Sequence, residues 1–338
     1  MKKNKIFIIA EAGVNHNGKL SLAKKLIDEV KNVGADFIKF QCFKTENIIL
    51  KKTKLAPYQK KNQSNDNNDQ YKLLKKLELN ESRITELINY ANNKKIKIFF
   101  SVFDIESINF IKNFKINLFK IPSGEINNLP YLKAIGKLKS QLILSTGMAN
   151  IEEIEFAIKT LIKSGTPKKN IIAMHCNTEY PSPIEDINLR SMLTIKNKFN
   201  VEIGYSDHSN SYEVPIVAAS LGAKIIEKHF TISKKLKGPD HKSSLDPKQF
   251  KKMVQNIRNT ESILGSYVKK PSKSELKNIK IVRKSIVALE NIFEGEKFTK
   301  KNLTIKRPGK GISPVLFYKI LGKTSKRNYK KNELIKND

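Results

Sequence analysis

"IIEKHFT", residues 225–231, is an apolar run that closes on a charged pair and a histidine: Glu227, Lys228 and His229. "VEIGYSDHS", residues 201–209, is a second short apolar run, and it also closes on a histidine, His208. The chain has five histidines, so two placed alike at the ends of neighbouring runs raise the question of what those ends do. Six runs of the same kind precede them: "KIFIIAE" (5–11), "DFIKFQ" (36–41), "IKIFFS" (96–101), "NLFKIPS" (117–123), "QLILST" (141–146) and "NIIAMHC" (170–176). Helical patterns such as 21–35, 83–95, 151–165 and 213–223 fall between them. Eight strands, each followed by a helix or a long loop, predict an α/β fold of the closed parallel (β/α)8 type, a TIM barrel. An open doubly wound sheet is the competing fold, but no strand leads into a GxGxxG turn.

Past the last strand, "YVKKPSKSELKN" (267–278) is polar and lysine-rich and reads as a linker. The organisation expected is therefore a barrel over 1–266, a linker over 267–280 and a small C-terminal domain over 281–338. That last part has short strands and many turns, and a domain of about sixty residues can fold alone.

Composition narrows the class. A hydrophobic fraction of 39% over 338 residues describes a globular chain with a full core. No run approaches a membrane span. The start, "MKKNKIFIIAEAGVNHNG", is basic and then apolar, but the apolar part is short and lacks a small-residue cleavage site, so no signal peptide is expected. Cys42 and Cys176 stand far apart without a CxxC partner, which suits the cytoplasm and excludes a thiolate metal site. The net charge of +32 invites a nucleic-acid or anionic-surface reading. Against it, only six of the 64 basic residues are arginine, and the lysines are spread through every helix and loop. Arginine is the preferred reader of bases and phosphates, so the charge reads as compositional bias, with no nucleic-acid partner expected.

In a barrel of this kind the chemistry lies at the C-terminal strand ends. Those ends carry Glu11, Lys39 with Gln41, Ser101, and Lys120 with Ser123 and Glu125. They continue with Ser145, Asn177 with Tyr180, Ser206 with Asp207 and His208, and Glu227 with His229. A hydroxyl at a strand end means little, because loops are polar anyway. Lys39 and Lys120 lie within apolar strands, where an ammonium needs an anion: a bound phosphate, or an internal carboxylate such as Glu11 or Glu227. His208 and His229 come from consecutive strands and face one mouth, where neutral imidazoles either ligate a divalent metal or serve as hydrogen-bonded rim residues.

The motifs "AEAGVNHNG", "IKFQCFK", "APYQ", "FKIPSGEINNLPYL", "LSTGMA", "HCNTEYPSP", "IGYSDHS", "EKHFT", "GPDH", "RKSI" and "KRPGKGISP" run in this order through nearly the whole chain. In that order the chain resembles the bacterial sialic acid synthases, comprising N-acetylneuraminate synthases and their legionaminate and pseudaminate relatives. The resemblance implies a (β/α)8 barrel joined to an antifreeze-like SAF domain. It also implies condensation of phosphoenolpyruvate with an N-acetylated mannose-type sugar, N-acetylmannosamine first and a 6-deoxy diacetamido sugar as the alternative. Phosphate would leave by carbon–oxygen cleavage, with Mn2+, or Mg2+ or Co2+, activating the aldehyde. By the same resemblance, His208 and His229 would be metal ligands. Lys39, Lys120, Ser123, Ser145 and Ser206 would surround phosphoenolpyruvate, while Gln41, Tyr180 and Asp240 would contact the sugar. Asn177, in the matching "HCNTEY" segment, Ser101 and, in the loop after "APYQ", Asn62 would be further substrate-binding residues. Glu11 and Glu125 would be the acidic pair near the reacting atoms. Arg307 would reach the partner's barrel in a homodimer with swapped C-terminal domains. The chain departs from its relatives at "FFSVF", where they read "FSTPF", so that Ser101 replaces a threonine and Val102 a proline. Outside this class stand a basic nucleic-acid-binding protein and an ice- or sugar-binding module built on the C-terminal domain; the lysines of "KKNLTIKRPGK" speak against a flat apolar ice face.

Overall fold

The computed structural model describes residues 5–62 and 69–336. All eight predicted strands form: β1 (Phe7–Gly13), β2 (Phe37–Cys42), β3 (Ile98–Val102), β4 (Leu118–Ile121), β5 (Gln141–Ser145), β6 (Ile171–Cys176), β7 (Glu202–Asp207) and β8 (Ile225–His229). Each pairs in parallel with the next, and β1 also pairs with β8, so the sheet closes into a barrel.

Strand side chains alternate between two faces, and the barrel uses both. One face packs under the surrounding helices: Ile8, Ala10, Ile38, Phe40, Phe100, Phe119, Leu142, Leu144, Ile203 and Ile226 join residues such as Leu26, Leu87 and Leu161 in the main core. The other face fills the barrel with Ile9, Phe99, Ile143, Ile172, Met174 and Ile225. Below them Phe37 lies edge-on to Phe99 at 5.7 Å and tilted against Phe7 at 5.9 Å. This apolar plug makes the barrel a core rather than a pore, and leaves only the C-terminal mouth open to polar side chains.

The helices begin where local chemistry starts them. Asn150 and Glu153 form a capping box on Ile151–Lys163, and Asp246 and Gln249 form another on Pro247–Leu264. At the departure from relatives, Val102 is the buried last residue of β3, in register with Cys42, and its carbonyl accepts from the Tyr131 hydroxyl at 2.7 Å.

The chain divides into two compact units, Met1–Gly265 and Ser266–Asp338. The second has a two-stranded antiparallel sheet, β9 (Ser285–Ala288) and β10 (Leu303–Lys306), over a core that includes Ile286, Ile292, Phe298, Leu303, Tyr329 and Ile335. The stretch read as a linker is partly helical. Lys273–Val282 forms a helix because Ser272 and Glu275 make a capping box, an S-x-x-E signal hidden inside a polar run. Both cysteines are free and buried. Among the described residues no helix is long and apolar enough to cross a membrane.

Truncating the barrel plug tests its weight. Phe99→Ala leaves a cavity between rigid strands and is expected to cost about 3–5 kcal/mol in urea denaturation. A loss under about 1 kcal/mol would mean that the strands collapse around the gap and the plug does not set the barrel's stability.

Candidate active site

The inward-facing positions change character one layer above the plug. Register sets Glu11 beside Lys39 of β2 on one side and beside His229 of β8 on the other. Ser206 stands opposite Glu227, and Ser101 opposite Lys120. Four buried ionisable groups therefore meet in the mouth. Lys39 Nζ lies 2.7 Å from Glu11 and 3.7 Å from Glu227, and Lys120 Nζ lies 2.9 Å from Glu227. Lys39 also donates to Ser101 Oγ at 2.6 Å, while Ser206 Oγ donates to Glu227 at 2.9 Å. The 2.7 Å contact of Lys39 with Glu11 is a close, buried ion pair.

The two carboxylates are not equivalent. Burial pushes both up. Glu11 rises to about 7 because Lys39 only partly offsets burial and the charge of Glu227 adds to it. For Glu227 the two ammoniums, Lys120 and Lys39, outweigh burial and hold it at about 2. Lys39 is raised, since Glu11 and Glu227 together overcome its own desolvation. Close carboxylates pushed apart in this way divide into a permanent anion and a group able to exchange a proton near neutrality.

Above the quartet opens a cavity of about 520 Å³. It is lined by Glu11, Lys39, Gln41, Ser101, Lys120, Ser123, Ser145, Tyr180, Ser206, Glu227 and Asp240, together with both histidines. Ser123 Oγ accepts from Gly147 N–H at 3.1 Å; a Cβ at Gly147 would sit 2.9 Å from that hydroxyl, so the approach requires glycine. Asp240, driven up to about 6 by burial, lies 3.8 Å from His229 Nδ1. One side of the cavity is apolar: Val14, Phe43, Ile48, Leu74, Leu77 and Phe103 form a small cluster there.

His208 and His229 do converge, with ring centroids 5.4 Å apart. Tyr180 stacks on His208 at 4.1 Å and meets His229 edge-on at 5.5 Å. Burial holds His208 down at about 3, and burial together with His208 lowers His229 well below the usual histidine range, so both rings are neutral. Nδ1 of His208 faces the Asn177 carbonyl, which only accepts, so that nitrogen carries the proton and Nε2 carries the lone pair. Nε2 is 3.1 Å from Ser206 Oγ, whose single proton is directed to Glu227, and Nδ1 of His229 has no hydrogen-bond partner among the described residues. Two neutral imidazoles with uncommitted nitrogens fit a divalent ion with positions left for substrate and water. Among the described residues no group of three or more His, Cys, Asp or Glu side chains forms a fuller cage.

Not every expected residue joins them. Glu125 does not line the cavity; it is half-buried in a 3-10 turn and accepts from Asn128 at 2.6 Å. The acidic partner of Glu11 in the mouth is Glu227, a strand-end residue that sequence reading treated only as a possible counter-ion. Its inward position followed from its spacing of two from His229. Asn177 acts through its carbonyl on His208, while its side chain accepts from Glu179 N–H at 2.7 Å. Asn62 ends the helix Pro57–Asn62, and its side chain lies outside the described set. Arg307 belongs to the second unit, exposed just after β10.

Known proteins share this architecture. Residues 26–269 match the NeuB family and residues 283–338 the SAF domain. The chain is 50% identical over 332 residues to N,N'-diacetyllegionaminic acid synthase of Campylobacter jejuni, covering 98% of this chain and 99% of that protein. It is 43% identical over 318 residues to the synthase of the same name from Legionella pneumophila, covering 94% and 89%. The crystal structure of an N-acetylneuraminic acid (sialic acid) synthetase from Leptospira borgpetersenii, in complex with citrate, is 35% identical with a TM-score of 0.71, covering 82% and 90%.

The inequality of the two carboxylates has a thermodynamic consequence. Because the folded protein raises Glu11 from 4.5 to about 7, its contribution to stability is complete below about 4.5 and is lost as pH rises through about 7. Urea midpoints taken from about pH 5 to about pH 8 should fall for the wild type relative to Glu11→Gln. Parallel curves for the two proteins would refute the raised carboxyl.

Proposed function

The chain belongs to the NeuB family, and we propose that it condenses phosphoenolpyruvate with a 6-deoxy diacetamido sugar, releasing phosphate and forming a diacetyllegionaminic acid. It is an enzyme of the synthase class. The observation that carries the choice of sugar is the higher identity to the two diacetyllegionaminic acid synthases than to the sialic acid synthetase, which moves the acceptor away from N-acetylmannosamine. The apolar side of the cavity supports it. Phe43, Ile48, Leu74 and Phe103 offer a surface to methyl groups of a 6-deoxy, doubly acetylated sugar, where an extra hydroxyl would lose its water without gaining a partner.

The residues divide the work by position. Lys39 and Lys120, with Ser101, Ser123, Ser145 and Ser206 around them, receive the phosphate and carboxylate of phosphoenolpyruvate. The incoming anion keeps Glu11 protonated, which leaves two ammoniums facing one ionised carboxylate, Glu227. Gln41, Tyr180 and Asp240 orient the open-chain sugar with its aldehyde toward the histidines. A divalent ion such as Mn2+, held by His208 and His229, supplies Lewis-acid polarisation of that aldehyde when bound. The enol carbon of phosphoenolpyruvate attacks the aldehyde carbon, leaving a cationic centre at C2 that faces the carboxylate of Glu227. Glu11, protonated at this point, gives its proton to the oxygen of the former aldehyde, and water adds at C2 and returns a proton to the Glu11 carboxylate. Collapse of the resulting tetrahedral centre breaks the carbon–oxygen bond and expels phosphate. Glu125 has no step here while its carboxylate stays on Asn128.

Phosphate release measured with a panel of acceptors tests this assignment. The 6-deoxy diacetamido sugar should exceed N-acetylmannosamine in kcat/KM by about tenfold or more. Chelator should stop turnover and Mn2+ restore it, while Glu11→Gln should lower kcat by about 10²–10⁴-fold. Equal or better turnover of N-acetylmannosamine would return the protein to sialic acid synthesis, and full rate in chelator would remove the metal.

We further propose a homodimer in which Arg307 of each chain completes the partner's site. Its support is the family resemblance together with apolar side chains exposed in the single chain near the start of the second unit, Tyr267, Val268, Leu276, Ile281 and Val282. Mixing inactive Arg307→Ala with inactive His229→Ala subunits should restore about a quarter of wild-type activity, one intact site in each heterodimer. A mixture that stays inactive while subunits demonstrably exchange would show that the arginine does not act across the dimer.

A further inference from the structure

Lys228 stands between two cavity residues, Glu227 and His229, yet strand alternation turns it to the opposite face, into the layer between barrel and helices. It is among the largest fully buried side chains of the protein. Its ammonium meets Asp207 Oδ2 at 2.5 Å, the Ser209 carbonyl, and the Ser211 carbonyl at 3.2 Å. An ammonium has three donors, and three acceptors are in place. Asp207 Oδ1 in turn accepts from Ser209 N–H at 2.9 Å, and Ser209 Oγ from Ser211 N–H at 3.2 Å. The loop after β7 is therefore wound around one cation supplied by β8. His208 is the residue enclosed: the one before it gives the cation a carboxylate and the one after it a carbonyl.

We propose that Lys228 is a positioning residue, fixing from outside the barrel the pose in which His208 faces His229 across the mouth; this rests on the reading of those histidines as metal ligands. A purely structural account explains the arrangement less well. A buried ion pair is weak evidence for stability, since apolar residues of similar size often replace one without loss. What an apolar pair cannot do is hold the two loop carbonyls in place. Nor does any ligand need to reach Lys228, because its ammonium is fully engaged and faces away from the cavity. Metal sites commonly lose about 10–100-fold in affinity when a group that orients a ligand is removed.

The test uses Mn2+ binding to the full chain, followed by the electron paramagnetic resonance signal of free Mn2+ and so independent of turnover. Lys228→Met should weaken Mn2+ binding by about 10–100-fold, with kcat falling and the KM for phosphoenolpyruvate little changed. Because that variant leaves Asp207 buried without its counter-charge and is prone to unfold, the decisive protein is the double variant Asp207→Leu, Lys228→Met, in which an apolar pair fills the same layer. Folded by circular dichroism, it should still bind Mn2+ about 10–100-fold more weakly than wild type. Asp207→Asn, which keeps the shape and removes only the charge, should fall between. Wild-type affinity in the folded double variant, or in Asp207→Asn should the double variant not fold, would overturn the positioning role while leaving the metal site intact. No Mn2+ binding by the wild type would overturn both.

Discussion

Everything in the mouth of this barrel depends on four charges brought out of water together. Glu11, Lys39, Glu227 and Lys120 come from β1, β2, β8 and β4, and none of them is tolerable alone at that depth. Their mutual attraction is what lets a barrel otherwise plugged with phenylalanine and isoleucine end in a polar floor. The same attraction is shared unequally. Glu227 touches both ammoniums and stays an anion, whereas Glu11 has one close partner and rises toward neutrality. A balanced network thus contains one group free to change its charge when an anion arrives.

Strand alternation distributes the remaining functions. On β8, Glu227 and His229 point inward while Lys228 points outward; on β7, Ser206 points inward and Asp207 outward. Each strand end therefore has a reacting face and a supporting face one residue apart. The supporting face carries its own ion pair, which lies under the helices and ties the loop after β7 to strand β8. The reacting face carries neutral imidazoles, kept neutral by burial, packed against a tyrosine ring.

The cavity is also asymmetric in polarity. Its floor holds ammonium and hydroxyl groups, and one wall is a satellite apolar cluster to which the segment after β2 and the helix Gln70–Leu77 contribute most.

By itself the sequence determined the architecture and the convergence of the histidines. Eight apolar runs at regular intervals leave a closed parallel barrel as their simplest packing, and polar residues at the same end of each run must then share one mouth. These are local patterns, repeated often enough that one misread element would not alter the outcome. Which charge sits against which was decided only by the tertiary structure. Lys120 and Glu227 are 107 residues apart, and nothing near either one names the other. The same limit applies to Glu125, whose place beside a conspicuous strand end did not show that its carboxylate accepts from Asn128. It applies equally to Lys228, whose partners lie in a loop on the neighbouring strand. Pattern along a chain specifies the face a side chain takes, but the partner it meets there depends on register across the barrel, and that exists only once the sheet has closed.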